Sequence, residues 1–150
     1  MTDDAIHVGF VCVQNAGRSQ MATAFAERER DRRGWDDRIE IHTGGTHPAE
    51  EVHPVVVDAM AEVGIDLAQR TPREIPDDEL AACDVVATMG CSTLEFEADD
   101  VDVRDWALDD PHGEALERVR EIRSTVETRV QELFDDLESK LGGDSRMAER

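Results

Sequence analysis

The sequence has a single lysine and no long apolar stretch, and each of these two absences excludes a class of protein. Lys140 is the one lysine, and 36 acidic residues outnumber 16 basic ones, which gives a net charge of -20. Such a surface repels nucleic acid and anionic lipid. No run of 18 apolar residues occurs, and the acidic N-terminus has no signal-peptide pattern. We therefore expect a cytoplasmic protein that binds neither nucleic acid nor a membrane.

Cysteines are few and widely spaced. Cys12, Cys83 and Cys91 are an odd number without a close pair, and no cluster of cysteine and histidine has the spacing of a zinc site. A disulfide framework and a structural metal are therefore not expected. Dispersed cysteines in a reducing compartment are core residues or reactive thiols.

The excess of acid could indicate disorder, but the apolar residues recur at regular intervals, which indicates a fold. An acid-rich, lysine-poor surface is typical of proteins dissolved in concentrated salt. In about 1 M salt the Debye length is only about 3 Å, so remote carboxylates would hardly repel an anionic substrate. The composition thus predicts a halophilic protein.

Strand and helix patterns alternate along the chain. The predicted strands cover residues 6–12, 39–43, 84–89 and 101–106. Helices are predicted from Ser19, as a possible cap, to about Arg33, over 52–63, as a short turn at 79–82, and as a long amphipathic helix from Leu116 to Leu137. This alternation predicts a single α/β domain with a mostly parallel sheet over residues 1–141, followed by a flexible polar tail at 142–150.

The segment between the first strand and the first helix has the residue types of an anion site. It reads Cys12-Val13-Gln14-Asn15-Ala16-Gly17-Arg18-Ser19. The backbone N–H groups of residues 13–19 and the helix N-terminus can surround an oxyanion, and Arg18 can grip two of its oxygens. Gly17 and Asn15 tolerate the left-handed backbone that a tight loop needs.

Cys12 is the candidate nucleophile of this loop. The helix N-terminus and Arg18 would stabilise its thiolate, and Ser19 is placed to donate a hydrogen bond to the sulfur. Alone, Cys12 could be a packing residue at a strand end and Arg18 a surface charge. Their position between a buried strand and a helix favours the catalytic interpretation.

The segment 10–22 resembles the active-site loop of thioredoxin-coupled arsenate reductases, which share their fold with low-molecular-weight protein tyrosine phosphatases. The resemblance covers roughly residues 5–140 and extends to the segments 43–46, 52–54, 64–67, 105–106 and 109–111. It implies a three-layer α/β/α sandwich around a four-stranded parallel sheet, in which residues 1–141 form the catalytic domain.

The resemblance also implies two further catalytic residues. Asp110, directly before Pro111, would be the general acid, although Asp109-Asp110-Pro111 alone is typical of a turn. Cys91 would be the resolving cysteine. No further cysteine follows it, so the second thiol is Cys91 or an external thiol from thioredoxin, a glutaredoxin-like protein or a small molecule. No bound cofactor is expected.

Three features favour a reductase over a phosphatase. His112-Gly113 stands where these phosphatases usually have aromatic residues, Gln20 stands where they usually have proline, and Cys91 matches the reductases. The potassium site of the reductases is not expected, because Thr23 replaces a glutamate. A phosphatase that hydrolyses phosphomonoesters through a phosphocysteine, and an oxyanion sensor that only binds, remain alternatives.

Overall fold

The computed structural model describes residues 5–45, 47–89, 101–106, 108 and 113–149, with the side chains of residues 77 and 139–149 left undescribed. Four strands and four helices lie in these ranges. They are β1 (Ile6–Cys12), α1 (Arg18–Arg33), β2 (Ile39–Gly45), α2 (Pro54–Ala61), α3 (Asp77–Ala81), β3 (Val85–Met89), β4 (Asp102–Asp105) and α4 (Leu116–Glu149).

The strands form one parallel sheet in the order β2-β1-β3-β4. The central strand β1 is an apolar run, and its last five residues are buried. Its last residue, Cys12, is paired with Gly45 of β2 and Met89 of β3. Cys12 therefore ends the central strand at the carboxyl edge of the sheet, where ligands bind in open α/β folds.

Side chains of β1 alternate between two apolar cores. Val8, Phe10 and Cys12 belong to the larger core, which includes buried residues of α1, α2 and α4. Val11 belongs to the smaller core, together with Leu80 of α3. With helices on both faces of the sheet, the predicted three-layer α/β/α sandwich with four parallel strands is confirmed.

The predicted helix over 116–137 is confirmed, and its apolar side chains lie on the face that packs against α1. The buried members of the predicted set are Val119, Ile122, Val126, Val130, Leu133 and Leu137. Burying each such side chain contributes about 1.5–3 kcal/mol before the entropy of ordering is counted.

Glu62, just after α2, accepts hydrogen bonds from Arg120 and Arg123 of α4, which lower its pKa to about 2.

One local expectation was wrong: Ser19 is not the N-cap of α1, because the helix begins at Arg18 with Gly17 as its cap. The helix α4 is longer than expected and continues through Gly142 and Gly143 to Glu149. The domain boundary after residue 141 and the flexible tail at 142–150 stay predictions. Among the described residues, no helix is both long and apolar enough to cross a membrane.

Candidate active site

The loop after β1 turns its carbonyl groups away from the sulfur of Cys12. Three of them accept hydrogen bonds from the segment after β2: Val13 O from His47 N (2.7 Å), Gln14 O from Ala49 N (3.0 Å) and Ala16 O from His53 N (3.0 Å). In a trans peptide, the C=O and the following N–H point in opposite directions. The N–H groups of Gln14, Asn15 and Gly17 therefore point away from the segment after β2. Of these, the Asn15 N–H donates to Cys12 Sγ at 3.2 Å.

The sulfur of Cys12 is buried and has a second polar contact. Its Sγ lies 2.9 Å from Ser19 Oγ, so the contact expected from the sequence is present. Asn15 Nδ2 donates to the same Ser19 Oγ at 2.7 Å. Because an amide nitrogen can only donate, Ser19 accepts there and keeps its own proton for the sulfur. Both contacts place a hydrogen-bond donor on the sulfur.

Asn15 has the left-handed backbone expected of it. Its φ is 52°, the one positive φ among the described non-glycine residues. Gly17 does not share this conformation, since its φ is -141°, so that part of the expectation was wrong. The turn at Asn15 brings its own N–H back onto the sulfur three residues earlier in the chain.

Arg18, the first residue of α1, is 8% exposed and lies beside the segment that follows β4. Its Nη1 donates to the carbonyl oxygen of Leu108 at 3.1 Å. The other two predicted catalytic residues, Asp110 and Cys91, lie outside the described residues. The structure thus joins Cys12 to Asn15 and Ser19 of the loop by hydrogen bonds, and leaves the anion-binding role of Arg18, the acid and the resolving thiol as predictions.

The sequence patterns do not reveal the role of Gly45, whose backbone packs closely against the loop after β1. A Cβ atom at Gly45 would lie 2.5 Å from Val13 O and 2.9 Å from Cys12 O. Real side-chain carbons do not approach so closely, so only glycine allows β2 to pass this near the loop. The signal is the pair Gly44-Gly45, which directly follows the strand predicted over residues 39–43.

Arg73 was also missed, and it connects the loop with β2. Its backbone N–H donates to Asn15 Oδ1 at 3.0 Å, while its guanidinium donates to the Thr43 carbonyl at 2.7 Å and to Glu79. The hydrogen bond from Arg73 lowers the pKa of the Glu79 carboxyl, and a further bond to His42 adds to this effect. Glu79 therefore remains charged and holds the Arg73 side chain against β2.

A cleft of about 630 Å³ lies beside Gln14. Described residues that line it include Glu50, Glu51, His53 and Glu114. None of these three glutamates is paired with an arginine in the described part of the chain. The cleft adjoins the loop at Gln14, and its carboxylates disfavour anions until salt screens them.

Cys83 lies on the opposite face of the sheet from Cys12, in the smaller core. Burial, together with the negative charges of Glu79 and Asp84, raises the pKa of its thiol to about 11. Cys83 is therefore a neutral thiol at physiological pH, as expected for a packing residue.

The resemblance places Asn15 and Thr23 at the potassium site of the reductases, and the contacts of these two side chains do not fit that ion here. Asn15 Oδ1 already accepts hydrogen bonds from Arg73 N and Gln20 Nε2, at 3.0 and 3.2 Å. Thr23 stands at the glutamate position, and its hydroxyl donates to the Ser19 carbonyl. Within the described ranges, no three histidine, cysteine or acidic residues are grouped to hold a metal ion.

Comparison with known proteins agrees with this geometry. The family model "Low molecular weight phosphotyrosine protein phosphatase" matches residues 7–142. A Halobacterium salinarum protein, named as a proposed arsenate reductase, is 66% identical over 134 residues, which are 89% of this chain and 94% of that protein. A glutaredoxin arsenate reductase of Synechocystis sp. is 35% identical over 131 residues, 85% of this chain and 95% of that protein.

Among solved structures, the thioredoxin-dependent arsenate reductase Cg_ArsC1' of Corynebacterium glutamicum superposes with a TM-score of 0.78 at 30% identity. The match covers 93% of this chain and 65% of that one, so this chain spans a little under two thirds of that protein. The resemblance seen in the sequence is confirmed, and the chain belongs to the low molecular weight phosphotyrosine protein phosphatase family.

Proposed function

We propose that this protein is an arsenate reductase with Cys12 as its nucleophile. The observation that carries the proposal is the environment of Cys12 Sγ, which lies 2.9 Å from Ser19 Oγ and 3.2 Å from the Asn15 N–H. The similarity to proteins named as arsenate reductases, at 66% and 35% identity, supports the choice of substrate.

In the first step, the Cys12 thiolate attacks the arsenic atom, and an S–As bond forms. The N–H groups of the loop and Arg18 hold the other oxygens of the anion. One oxygen leaves as water after it receives a proton. In the second step, another thiol attacks Cys12 Sγ, a disulfide forms, and the electron pair of the S–As bond stays on arsenic. Two thiols are oxidised, and arsenate is reduced to arsenite.

Asp110 is the proposed proton donor. Leu108, which precedes it by two residues, has its carbonyl oxygen 3.1 Å from Arg18 Nη1. Two residues of extended chain span at most about 7 Å. The segment that contains Asp110 therefore begins beside the anion-binding arginine.

Cys91 is the proposed resolving thiol, with an external thiol as the alternative. Met89, two residues before it, is the strand partner of Cys12. Neighbouring strands lie about 4.8 Å apart. A disulfide needs Cα atoms within roughly 7 Å. The segment that contains Cys91 therefore starts, at Met89, within disulfide distance of Cys12. Thioredoxin or a glutaredoxin-like protein would then regenerate the enzyme, as the names of two relatives suggest. We place this reaction in the cytoplasm, where such reductants keep thiols reduced.

The test is to incubate the reduced protein with arsenate and either thioredoxin, glutaredoxin or a small thiol, and to measure arsenite. Cys12→Ser should abolish turnover with every donor, while Cys83→Ser is the matched control and should retain it. If the wild-type protein forms no arsenite with any donor, the proposal is wrong.

The second candidate is a phosphatase, favoured by the name of the matched family model. Both reactions begin with attack by Cys12, and they differ in whether water or a thiol releases the product. Hydrolysis of an aryl phosphate, measured beside the arsenite assay, separates them. Efficient hydrolysis without arsenite formation would establish the phosphatase.

A further inference from the structure

His7 of β1 and His42 of β2 form a contact outside the active site. Both residues are half-buried, and His7 Nδ1 lies 3.0 Å from His42 Nε2, with the ring centroids 5.2 Å apart. On its other side, His42 Nδ1 lies 2.9 Å from Glu79 Oε2 of α3. The two imidazoles therefore connect β1, β2 and α3.

The carboxylate of Glu79 decides which ring nitrogens carry hydrogen. The hydrogen bond from Arg73 lowers the pKa of Glu79, so this carboxylate stays charged and can only accept. His42 must then donate from Nδ1, which leaves a neutral His42 with a lone pair at Nε2. His7 therefore donates from its Nδ1 to His42 when both rings are neutral.

This pair of histidines can hold one further proton but not two. With one proton added, one ring is a cation and the other is neutral, so a lone pair still faces an N–H across the 3.0 Å contact. With two protons added, both facing nitrogens carry hydrogen, and no acceptor remains between them. Two like charges would also lie side by side. The contact between the rings then has to open.

The charged groups on the neighbouring elements favour the first proton. They are three carboxylates and one guanidinium: Glu40, paired with His7 across the strands, Asp84, which accepts from the His7 N–H at 2.8 Å, Glu79, and Arg73. The second proton is bound more weakly by the folded chain than by the unfolded one, in which the two rings are apart. Stability therefore falls as the pH falls through the range in which this proton is taken up, which for histidine lies at about pH 5–8.

We propose that His7 and His42 form an acid-sensitive latch that holds α3 against the sheet. The helix α3 also covers Cys83, because Leu80 and Cys83 belong to the same smaller core and the Cys83 thiol donates to the Glu79 carbonyl at 3.5 Å. Opening of the latch loosens α3 and exposes Cys83. The inference needs no step of the arsenate reaction, so its failure and the failure of the proposed function are seen in separate assays.

His7→Gln tests the proposal, because an amide can donate or accept across the contact but takes up no proton. The melting temperature is measured by calorimetry at pH 8 and pH 5. Between these values the wild-type protein should lose about 2–4 °C more than His7→Gln, the shift that one lost hydrogen bond gives in a chain of this size. His42→Gln should behave like His7→Gln, and it decides if His7→Gln does not fold. His47→Gln, at an exposed position outside the pair, is the matched control and should follow the wild-type protein.

Two further measurements address the proton positions and the opening of α3. At pH 8, nitrogen NMR of the imidazole rings should show hydrogen on Nδ1 of both His7 and His42. At pH 5, dithiodipyridine, which reacts with thiols in acid, should label Cys83 faster in the wild-type protein than in His7→Gln, as peptide mass spectrometry would show. Hydrogen on His42 Nε2 at pH 8, equal losses of melting temperature in the wild-type protein and the folded glutamine variants, or equal labelling of Cys83 would each overturn the proposal.

Discussion

Gly45→Ala should lower the activity of this protein far more than its stability. The added Cβ atom would lie 2.5 Å from Val13 O, 2.9 Å from Cys12 O and 3.0 Å from Asn15 N. All three are backbone atoms of the active-site loop or of the strand that leads into it. They cannot rotate away as the end of a side chain could, so the loop itself has to move.

The size of the movement follows from these distances. A carbon–oxygen contact is comfortable at about 3.3 Å, so relief of the 2.5 Å contact requires a shift of roughly 0.8 Å. A displacement near 1 Å in a catalytic site costs about 10²-fold in rate. Overpacking of this kind destabilises a fold by about 1–3 kcal/mol. We expect kcat/KM for arsenate to fall about 10²-fold in a protein that still folds.

Gly44→Ala is the matched control. Its Cβ would lie 2.5 Å from Ile75 Cβ, in the smaller core on the other face of the sheet. A similar loss of melting temperature is expected, without direct pressure on the loop. Calorimetry gives the stability of both variants, and arsenite formation gives their activity. The reasoning fails if Gly45→Ala keeps more than half of the wild-type activity, or if both variants lose activity equally.

Three further predictions concern the other titratable and redox groups. Asp110→Asn should lower turnover by about 10²–10⁴-fold, with anion binding unchanged or slightly tighter; a larger effect of Asp109→Asn would identify the other carboxylate as the acid. Since burial raises the pKa of Cys83 to about 11, iodoacetamide at pH 8 should label Cys12 and leave Cys83 unlabelled in the folded protein, as peptide mass spectrometry would show. Treatment of the reduced protein with arsenate should yield a Cys12–Cys91 disulfide, and Cys91→Ser should stop turnover with thioredoxin. Normal turnover of Cys91→Ser with a small thiol would show that the external thiol resolves the intermediate.

Local patterns along the chain were sufficient to predict the central part of the fold. The apolar run Ile6–Cys12 and the helical spacing after it place Cys12 at a strand end before a helix, as the structure has it. Ser19 was read correctly as a contact of the sulfur and wrongly as a helix cap. The two roles compete for one hydroxyl, and in the structure the hydroxyl points to the sulfur.

Contacts between distant segments could not be predicted in the same way. Gly45 lies beside the loop because β2 pairs with β1 in a register that places it opposite Cys12. Arg73 reaches Asn15 from 58 residues away, through its backbone N–H, so its side-chain type gave no signal. Such contacts depend on strand register. The hydrophobic pattern specifies which face of the sheet a side chain lies on, but not which residue of the neighbouring strand it is paired with.

The acidic surface leads to a last prediction, on the salt dependence of substrate binding. Glu50, Glu51 and Glu114 line the cleft beside the loop, and the whole chain carries a net charge of -20. At 0.1 M salt the Debye length is about 10 Å, so these carboxylates repel an approaching arsenate; at 1 M it is about 3 Å, and the repulsion is largely screened. The proposed contacts of the loop N–H groups and Arg18 with the anion would act at hydrogen-bond distance and be screened much less. The KM for arsenate should therefore fall severalfold between 0.1 and 1 M KCl, while kcat stays constant in protein shown by circular dichroism to be folded at both concentrations. Glu51→Gln should lower KM at 0.1 M and have little effect at 1 M. A KM that rises with salt would mean that chloride competes for the loop more strongly than the glutamates repel the substrate, and the electrostatic argument would be wrong.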